Sequence, residues 1–210
     1  MIYAENILIC IAVPFFVALL FLRGDVSRFT ATFLLGMGLS MVAAYISGFL
    51  CLVTGLGEND TSVFISPLSE EILKFLPILF YLLIFRPDDR RLILLAVAMG
   101  AGFATFENCC YILTFGAESL PYIMIRGLAV GVMHIVSILI LSIWLILIRR
   151  MNVMSFPAVF GGISLPMIFH SLYNLLVSGE GPARYVGFML PILTAALLYN
   201  PYKKITSSME

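Results

Sequence analysis

Residues 127–148 read GLAVGVMHIVSILILSIWLILI and contain no Asp, Glu, Lys or Arg. A helix rises about 1.5 Å per residue, so a helix of this length is about as long as a ~30 Å hydrocarbon core is thick. Residues 30–54 are equally free of these four residue types. Both stretches are therefore predicted to be transmembrane helices, and they decide the fold class.

The composition of the whole chain agrees with this prediction. Of 210 residues, 61% are hydrophobic and 11% are charged, and the mean hydropathy is +1.07. Soluble domains carry about 45–50% apolar and about 25% charged residues. The formal net charge is +0, so nothing in the composition indicates a nucleic-acid partner. The environment that the composition predicts is the lipid bilayer.

Seven apolar stretches follow one another, separated by short polar breaks. They lack the alternation of barrel strands, so helices are the predicted way of crossing lipid. The first stretch follows Glu5 rather than Lys or Arg, which favours a span over a signal peptide. The chain is thus predicted to be an all-α membrane protein, a polytopic bundle of about seven transmembrane helices that forms one domain over 1–210. The predicted spans are 6–22, 30–54, 66–85, 92–115, 124–148, 154–177 and 185–200.

The basic residues predict the orientation of the bundle. Nine of them fall in alternate loops and at the C-terminal end: Arg23, Arg28, Arg86, Arg90, Arg91, Arg149, Arg150, Lys203 and Lys204. The other loops hold only Arg126 and Arg184, with the acids Glu58, Asp60, Glu118 and Glu180. Because cytoplasmic loops carry the excess of Lys and Arg, the N-terminus is predicted outside and the C-terminus in the cytoplasm.

Ionisable residues inside spans are costly and usually functional, and here they are concentrated in four spans. With the predicted orientation, Glu107, His134 and His170 lie about 12, 15 and 10 Å from the outer surface, and a glutamate pair opens span three on the same side. Four helices therefore offer acids and imidazoles at overlapping depth. The residues are Glu70, Glu71 and Lys74 in span three, Phe103, Glu107 and Asn108 in span four, His134 in span five, and His170 and Asn174 in span six.

The spacing of these residues predicts which of them share a helix face. Glu70 and Lys74 are four residues apart in the favourable order for an ion pair, whereas Glu71 is rotated by about 100° around the helix axis. His170 and Asn174 are also four apart. Six small residues precede Glu107 and are expected to let neighbouring helices approach closely: Ala96, Ala98, Gly100, Ala101, Gly102 and Ala104.

Two kinds of chemistry suit this set of side chains. A glutamate can act as general base with histidine orienting the water, while an Asn amide donates to a developing oxyanion. Alternatively, two His and one Glu form a zinc ligand set with a fourth position open for water. The residues that could hold zinc are Glu70, Glu107, His134 and His170. No cofactor other than zinc is indicated, and the residue types alone leave both mechanisms open.

Four motifs occur in order on four successive spans: Glu70-Glu71-x-x-Lys74, Phe103-Ala104-Thr105-x-Glu107-Asn108, His134, and His170-x-x-x-Asn174. This series, within about 66–177, resembles the PrsW family of intramembrane proteases. That family is related to the CAAX prenyl endopeptidases and their bacterial relatives, whose motifs are EExxxR, FxxxH and HxxxN or HxxxD. Two departures from the wider pattern, Lys74 and Glu107, are shared by PrsW-like sequences.

The resemblance implies peptide-bond hydrolysis near the outer face of a bacterial-type plasma membrane. Such enzymes make the first cut in a single-span anti-sigma factor, so a single-span membrane protein is the expected substrate. By the same resemblance, Glu70 would be the base, with Glu71 and Lys74 shaping its charge. His170 and Asn174 would hold the attacked carbonyl, and Glu107 and His134 would position water or bind a metal; Phe103 and Asn108 would be supporting residues.

Two other functions remain open from the residues. A transporter or proton-relay protein would also cluster Glu and His between its helices, although no matched halves are seen in the chain. A catalytically inactive relative would act as a membrane scaffold.

Overall fold

The computed structural model describes residues 4–116 and 119–207; Glu118 lies outside this range. Throughout the described part of the chain the regular structure is helical, without strands. The long helices are α1 (Ala4–Leu19), α2 (Gly24–Thr54), α3 (Ser66–Phe85), α4 (Asp89–Phe115), α5 (Leu120–Arg150), α6 (Phe156–Ser178) and α7 (Pro182–Ser207).

These seven helices occur where the seven spans are predicted. The bounds of α3 are those predicted, whereas α2 begins at Gly24 rather than at residue 30 and α7 continues to Ser207 rather than to 200. The prediction followed apolar side chains, but a helix continues into polar turns as long as its backbone hydrogen bonds do. The all-helical prediction is confirmed for the described residues.

Five of the helices are long and apolar enough to cross a membrane: α2, α4, α5, α6 and α7. Helix α1 is apolar but has only 16 residues. Helix α3 has 20 residues, and Glu70, Glu71 and Lys74 interrupt its apolar sequence. The structure therefore supports a multi-pass membrane protein, in which one of the two helices outside these five carries the paired glutamates.

Helix α3 is entered through an unusual segment. A single helical turn, Glu58–Asp60, continues into the π-helix Thr61–Ile65, which leads directly into α3. Short π-helical segments are rare and frequently found at functional sites. At the start of α3, the hydroxyl groups of Ser47 and Ser69 lie 2.8 Å apart and join α3 to α2 in the interior.

Close contacts at glycine hold α4 between α2 and α5. A Cβ added to Gly102 would lie 1.9 Å from the backbone oxygen of Phe33 in α2, and one added to Gly100 would lie 2.9 Å from that of His134 in α5. The sequence prediction that small residues let these helices approach closely is confirmed. Glu107, however, is not fully buried by them, because its side chain remains 34% exposed toward a cavity.

The opposite end of the bundle is fixed by an ion cluster. Asp89, at the start of α4, contacts both Arg149 and Arg150 at the end of α5, and the Arg150 Nη2–Asp89 Oδ2 distance is 2.5 Å. Arg149 also donates to the backbone oxygen of Pro87 at 2.8 Å. Between this cluster and the cavity lies an apolar core that includes Leu92 and Leu145.

We expect Gly102→Ala to lower the free energy of unfolding in detergent by about 1–3 kcal/mol, because the new methyl group must push α2 and α4 apart. Gly38→Ala is the matched control, since Gly38 lies within α2, the helix that Gly102 of α4 contacts, and a Cβ added to Gly38 has no neighbour within 4 Å. Thermal unfolding of the two purified variants measures the difference. Equal unfolding temperatures would contradict the close packing at Gly102.

Candidate active site

A cavity of about 620 Å³ lies at the end of the bundle where α3 begins and α4 and α6 end. Four of the predicted site residues, together with the supporting residue Phe103, line its wall. The four are Glu70, Glu107, His170 and Asn174. The structure thus brings together residues from three helices that are far apart in the sequence.

Lys74 is fully buried behind this cavity, on the side of α3 that faces α5. Its Nζ atom donates to Glu71 Oε1 at 2.5 Å, to His134 Nδ1 at 3.1 Å and to Ser137 Oγ at 3.3 Å. A lysine ammonium has three N–H donors, so each of them has an acceptor. The predicted Glu70–Lys74 pair is wrong: Lys74 faces α5, and the carboxylate pointing to that side belongs to Glu71, three residues before it.

The two adjacent glutamates have different surroundings. Glu71 is 1% exposed, and its Oε1 accepts from His170 Nδ1 at 2.8 Å as well as from Lys74. Glu70 instead lines the cavity, where its Oε2 has no hydrogen-bond partner and lies 3.8 Å from His170 Nε2. The rotation of about 100° between neighbouring helix positions separates a structural carboxylate from one that is available for chemistry.

His134 is fully buried and is not among the residues that line the cavity. Its Nε2 lies 2.5 Å from Glu107 Oε2, and its ring packs against those of Phe103 and His170, with centroid distances of 4.8 and 5.1 Å. Because Lys74 donates to Nδ1, the proton of the neutral ring is on Nε2, which donates to Glu107. His134 therefore holds the Glu107 carboxylate in position from the protein interior, on the side away from the cavity.

Asn174 lines the cavity near its mouth, one helical turn beyond His170, as their spacing predicts. Its Nδ2 donates to the backbone oxygen of Ser62 in the π-helix at 2.9 Å. This bond joins α6 to the segment that leads into α3. One of the two amide hydrogens of Asn174 is thus committed to holding the cavity wall together.

Asn108 is directed away from the cavity lining and joins α4 to α5. Its side-chain amide donates to the backbone oxygen of Gly127 at 3.3 Å and accepts from Arg126 at 2.6 Å. Arg126 also lies 3.6 Å from Glu107 Oε1, and its guanidinium stacks on the ring of Tyr111 at 3.4 Å. Asn108 thus links α4 to α5.

The sequence did not single out Arg126 or Tyr173, which also line the cavity. Arg126 is one of only two basic residues in the loops and helix ends predicted to face outward, and that exception to the charge bias was the available signal. Tyr173 follows His170 by three residues, so the two lie on neighbouring positions of one helix face. In a transmembrane helix an aromatic residue is usually explained by packing, so the sequence alone does not indicate a role for the hydroxyl group of Tyr173.

We tested whether a metal ion fits these residues. Ligand atoms of Glu70, His134 and His170 lie within 4.8 Å of one another, and the bond from His170 Nδ1 to Glu71 is typical of a zinc-bound histidine. His134 does not fit, because Lys74 occupies the lone pair of Nδ1 and Nε2 carries the proton. Glu107, the fourth predicted ligand, is not part of this group, and its Oε2 is bonded to His134. Glu70 and His170 alone are fewer than the three protein ligands of a catalytic zinc.

Lys74→Met is expected to lower the free energy of unfolding by about 3–5 kcal/mol, because it leaves the buried Glu71 carboxylate without its counter-charge. Adding Glu71→Gln should restore much of the loss, since the double variant removes both charges of the pair. Unfolding of each purified variant in the same detergent measures the effect. If Lys74→Met alone unfolds like wild type, the buried ion pair is not formed.

The comparisons with known proteins agree with this arrangement. The family model described as PrsW family intramembrane metalloprotease matches residues 26–198, which is most of the chain and includes every residue that lines the cavity. Neither the curated proteins nor the solved structures gave a match. With four of the predicted site residues lining one cavity and the family model covering all four motifs, the chain belongs to the PrsW family of intramembrane proteases.

Proposed function

We propose that this protein is an endopeptidase of the glutamate type, which cleaves a membrane-anchored protein by activating water at Glu70. The observation that carries the proposal is the free Glu70 Oε2, which lies 3.8 Å from His170 Nε2 at the cavity wall. A buried carboxylate oxygen without a partner costs stability. Glu71 Oε2 also lacks a partner, but Glu71 does not line the cavity, so Glu70 is the carboxylate for which a catalytic role explains the unpaired oxygen.

In the proposed reaction, a water molecule in the cavity donates a hydrogen bond to Glu70 Oε2. As the water oxygen bonds to the carbonyl carbon of the substrate, its proton passes to Glu70. Glu70 then delivers this proton to the leaving amide nitrogen as the C–N bond breaks. The products are a carboxylic acid and an amine, so one water is consumed for each peptide bond.

His170 is proposed to stabilise the negative charge that develops on the carbonyl oxygen. Its Nδ1 is held by Glu71 at 2.8 Å, which directs Nε2 toward Glu70 and the cavity. A proton on Nε2 makes the ring a donor to the oxyanion, and the Glu71 carboxylate compensates the resulting positive charge. Lys74 keeps Glu71 charged and in place.

Glu107 and His134 are proposed to position the water from the α4 side. The Glu107 carboxylate is fixed by His134 Nε2 at 2.5 Å and by the nearby Arg126, while its exposed part faces the cavity. It offers the water an acceptor opposite Glu70. Because His134 acts through Glu107 in this scheme, it is a positioning residue rather than a group that touches the substrate.

The family description names a metalloprotease, whereas the tautomer of His134 favours the metal-free form. A zinc ion bound here would act as a Lewis acid and would lower the pKa of a bound water. The residues that would hold it are Glu70 and His170, and a third ligand would require His134 to exchange its contact with Lys74.

We further propose that the substrate is a single-span anti-sigma factor, cut at its outward end in the plasma membrane of a bacterium. In this proposal all seven helices cross the bilayer, with the N-terminus outside and the C-terminus in the cytoplasm. Two observations support it: the resemblance to PrsW-type enzymes, and the position of the cavity at the end of the bundle opposite the Asp89–Arg149–Arg150 cluster. Arginines are typical of the cytoplasmic side.

The proposal is tested by co-expressing the protein with a tagged single-span anti-sigma factor from the same genome. Wild type is expected to produce an outward-side fragment, and Glu70→Gln is expected to reduce its rate of formation by about 10²–10⁴-fold, because the amide cannot accept the proton. Immunoblots of membranes with matched amounts of enzyme measure the fragment.

Glu180→Gln is the matched control, since Glu180 is exposed outside the site, and it should cleave like wild type. Binding of the anti-sigma factor without cleavage by wild type would favour a scaffold. Substrate-dependent uptake into vesicles, again without cleavage, would favour a transporter or a proton relay.

Protein purified without chelators is expected to contain much less than one zinc per chain, because His134 is not available as a ligand. Elemental analysis of wild type beside His170→Ala measures this directly. One zinc per wild-type chain that is lost in His170→Ala would overturn the glutamate mechanism while leaving the protease in place.

A further inference from the structure

Tyr173 lies on α6 one helical turn beyond His170 and is 2% exposed. Its ring packs in a cluster with Val130 and Met133 of α5 and Phe188 of α7. Tyr173 and Val130 also line the cavity that contains Glu70 and His170. The ring is therefore fixed on both sides by apolar neighbours, and the residue forms part of the cavity wall.

The hydroxyl group of Tyr173 has no hydrogen-bond partner and is not exposed. A buried tyrosine hydroxyl normally finds a partner, and a buried polar group without one destabilises the protein. Phenylalanine would fill the same apolar cluster without this cost. The packing of the ring therefore does not explain why the position carries a hydroxyl group.

Only a few buried side-chain atoms in the described part of the chain lack a partner, and two of them belong to residues that line the cavity: Glu70 Oε2 and Tyr173 Oη. Glu70 Oε2 is the proton acceptor in the proposed reaction. Tyr173 offers a donor on the same wall, next to the helix position of His170. The pair supplies the two kinds of group that hydrolysis of an amide requires, a base and a donor to oxygen.

Asn174 is less suited to this second task. Its Nδ2 is already bonded to the backbone oxygen of Ser62 at 2.9 Å, so reorienting the amide toward the substrate would break the link between α6 and the π-helix. The hydroxyl of Tyr173 can rotate about its C–O bond without breaking any hydrogen bond. Turning the Tyr173 hydroxyl toward a substrate therefore breaks no hydrogen bond, whereas turning the Asn174 amide breaks one.

We propose that Tyr173 is a further catalytic residue, whose hydroxyl donates a hydrogen bond to the carbonyl oxygen of the scissile peptide bond beside His170. This inference rests on the proposed protease function. The hydroxyl keeps its proton throughout: no bond to it forms or breaks, and its hydrogen bond strengthens as negative charge develops on the carbonyl oxygen. The wild-type enzyme thus retains an unpaired hydroxyl that is satisfied only when substrate is bound.

The test is Tyr173→Phe, which removes one oxygen and preserves the ring. Loss of one oxyanion donor lowers kcat by about 10²–10³-fold, and we expect a decrease in this range with KM nearly unchanged. The unfolding temperature should be equal to that of wild type or higher, because an unpaired hydroxyl has been removed. Tyr199→Phe is the control, since Tyr199 is 60% exposed on α7, and it should leave both quantities unchanged.

A Tyr173→Phe enzyme with wild-type kcat would overturn the proposal, and so would one whose activity falls only in proportion to a lower unfolding temperature. Either result is distinguishable from failure of the protease function itself. If the protease function failed, wild type would also produce no fragment. If only the role of Tyr173 failed, wild type would cleave the substrate and Glu70→Gln would still be inactive.

Discussion

The buried charge of Lys74 is the constraint on which the rest of the site depends. An ammonium group without access to water requires a nearby counter-charge and an acceptor for each hydrogen. It finds them on two helices: Glu71 on its own helix, and His134 and Ser137 on α5. Because Glu71 also holds His170 of α6, one cation fixes the relative positions of three helices and the orientations of both histidines.

The same constraint determines which glutamate is free. Glu71 Oε1 accepts from both Lys74 and His170, and Glu71 is not among the residues that line the cavity. Glu70, the preceding residue, is turned about 100° away and faces the cavity, where one of its oxygens has no partner. An adjacent pair of identical residues therefore performs two tasks, the first in the cavity and the second in the structure that supports it.

Much of the architecture could be predicted from the sequence, since uninterrupted apolar stretches such as 127–148 allow few alternatives to a transmembrane helix. The gathering of Glu70, Glu107 and His170 also followed, because the spans alternate in direction and the depths of these residues overlap. The partner of Lys74 could not be predicted. Spacings of three and four residues are both compatible with a helical ion pair, and the choice depends on the position of α5, which local sequence does not contain. The role proposed for the Tyr173 hydroxyl could not be predicted either, because only the assembled bundle shows that this group lacks a hydrogen-bond partner.

The polar groups behind the cavity wall are mostly paired, although Glu71 Oε2 is not. Behind the wall, Lys74 and His134 have every hydrogen-bonding atom engaged, and such networks rigidify a structure. On the cavity side, Glu70 and Tyr173 each keep an atom without a partner, which destabilises the folded protein in the absence of substrate. A site that binds its transition state more strongly than its resting state requires groups that are fixed in position but unpaired beforehand. In the proposed mechanism, the network around Lys74 fixes Glu70 and the apolar cluster around Tyr173 fixes its ring, so that a bound substrate would supply the partners that both groups lack.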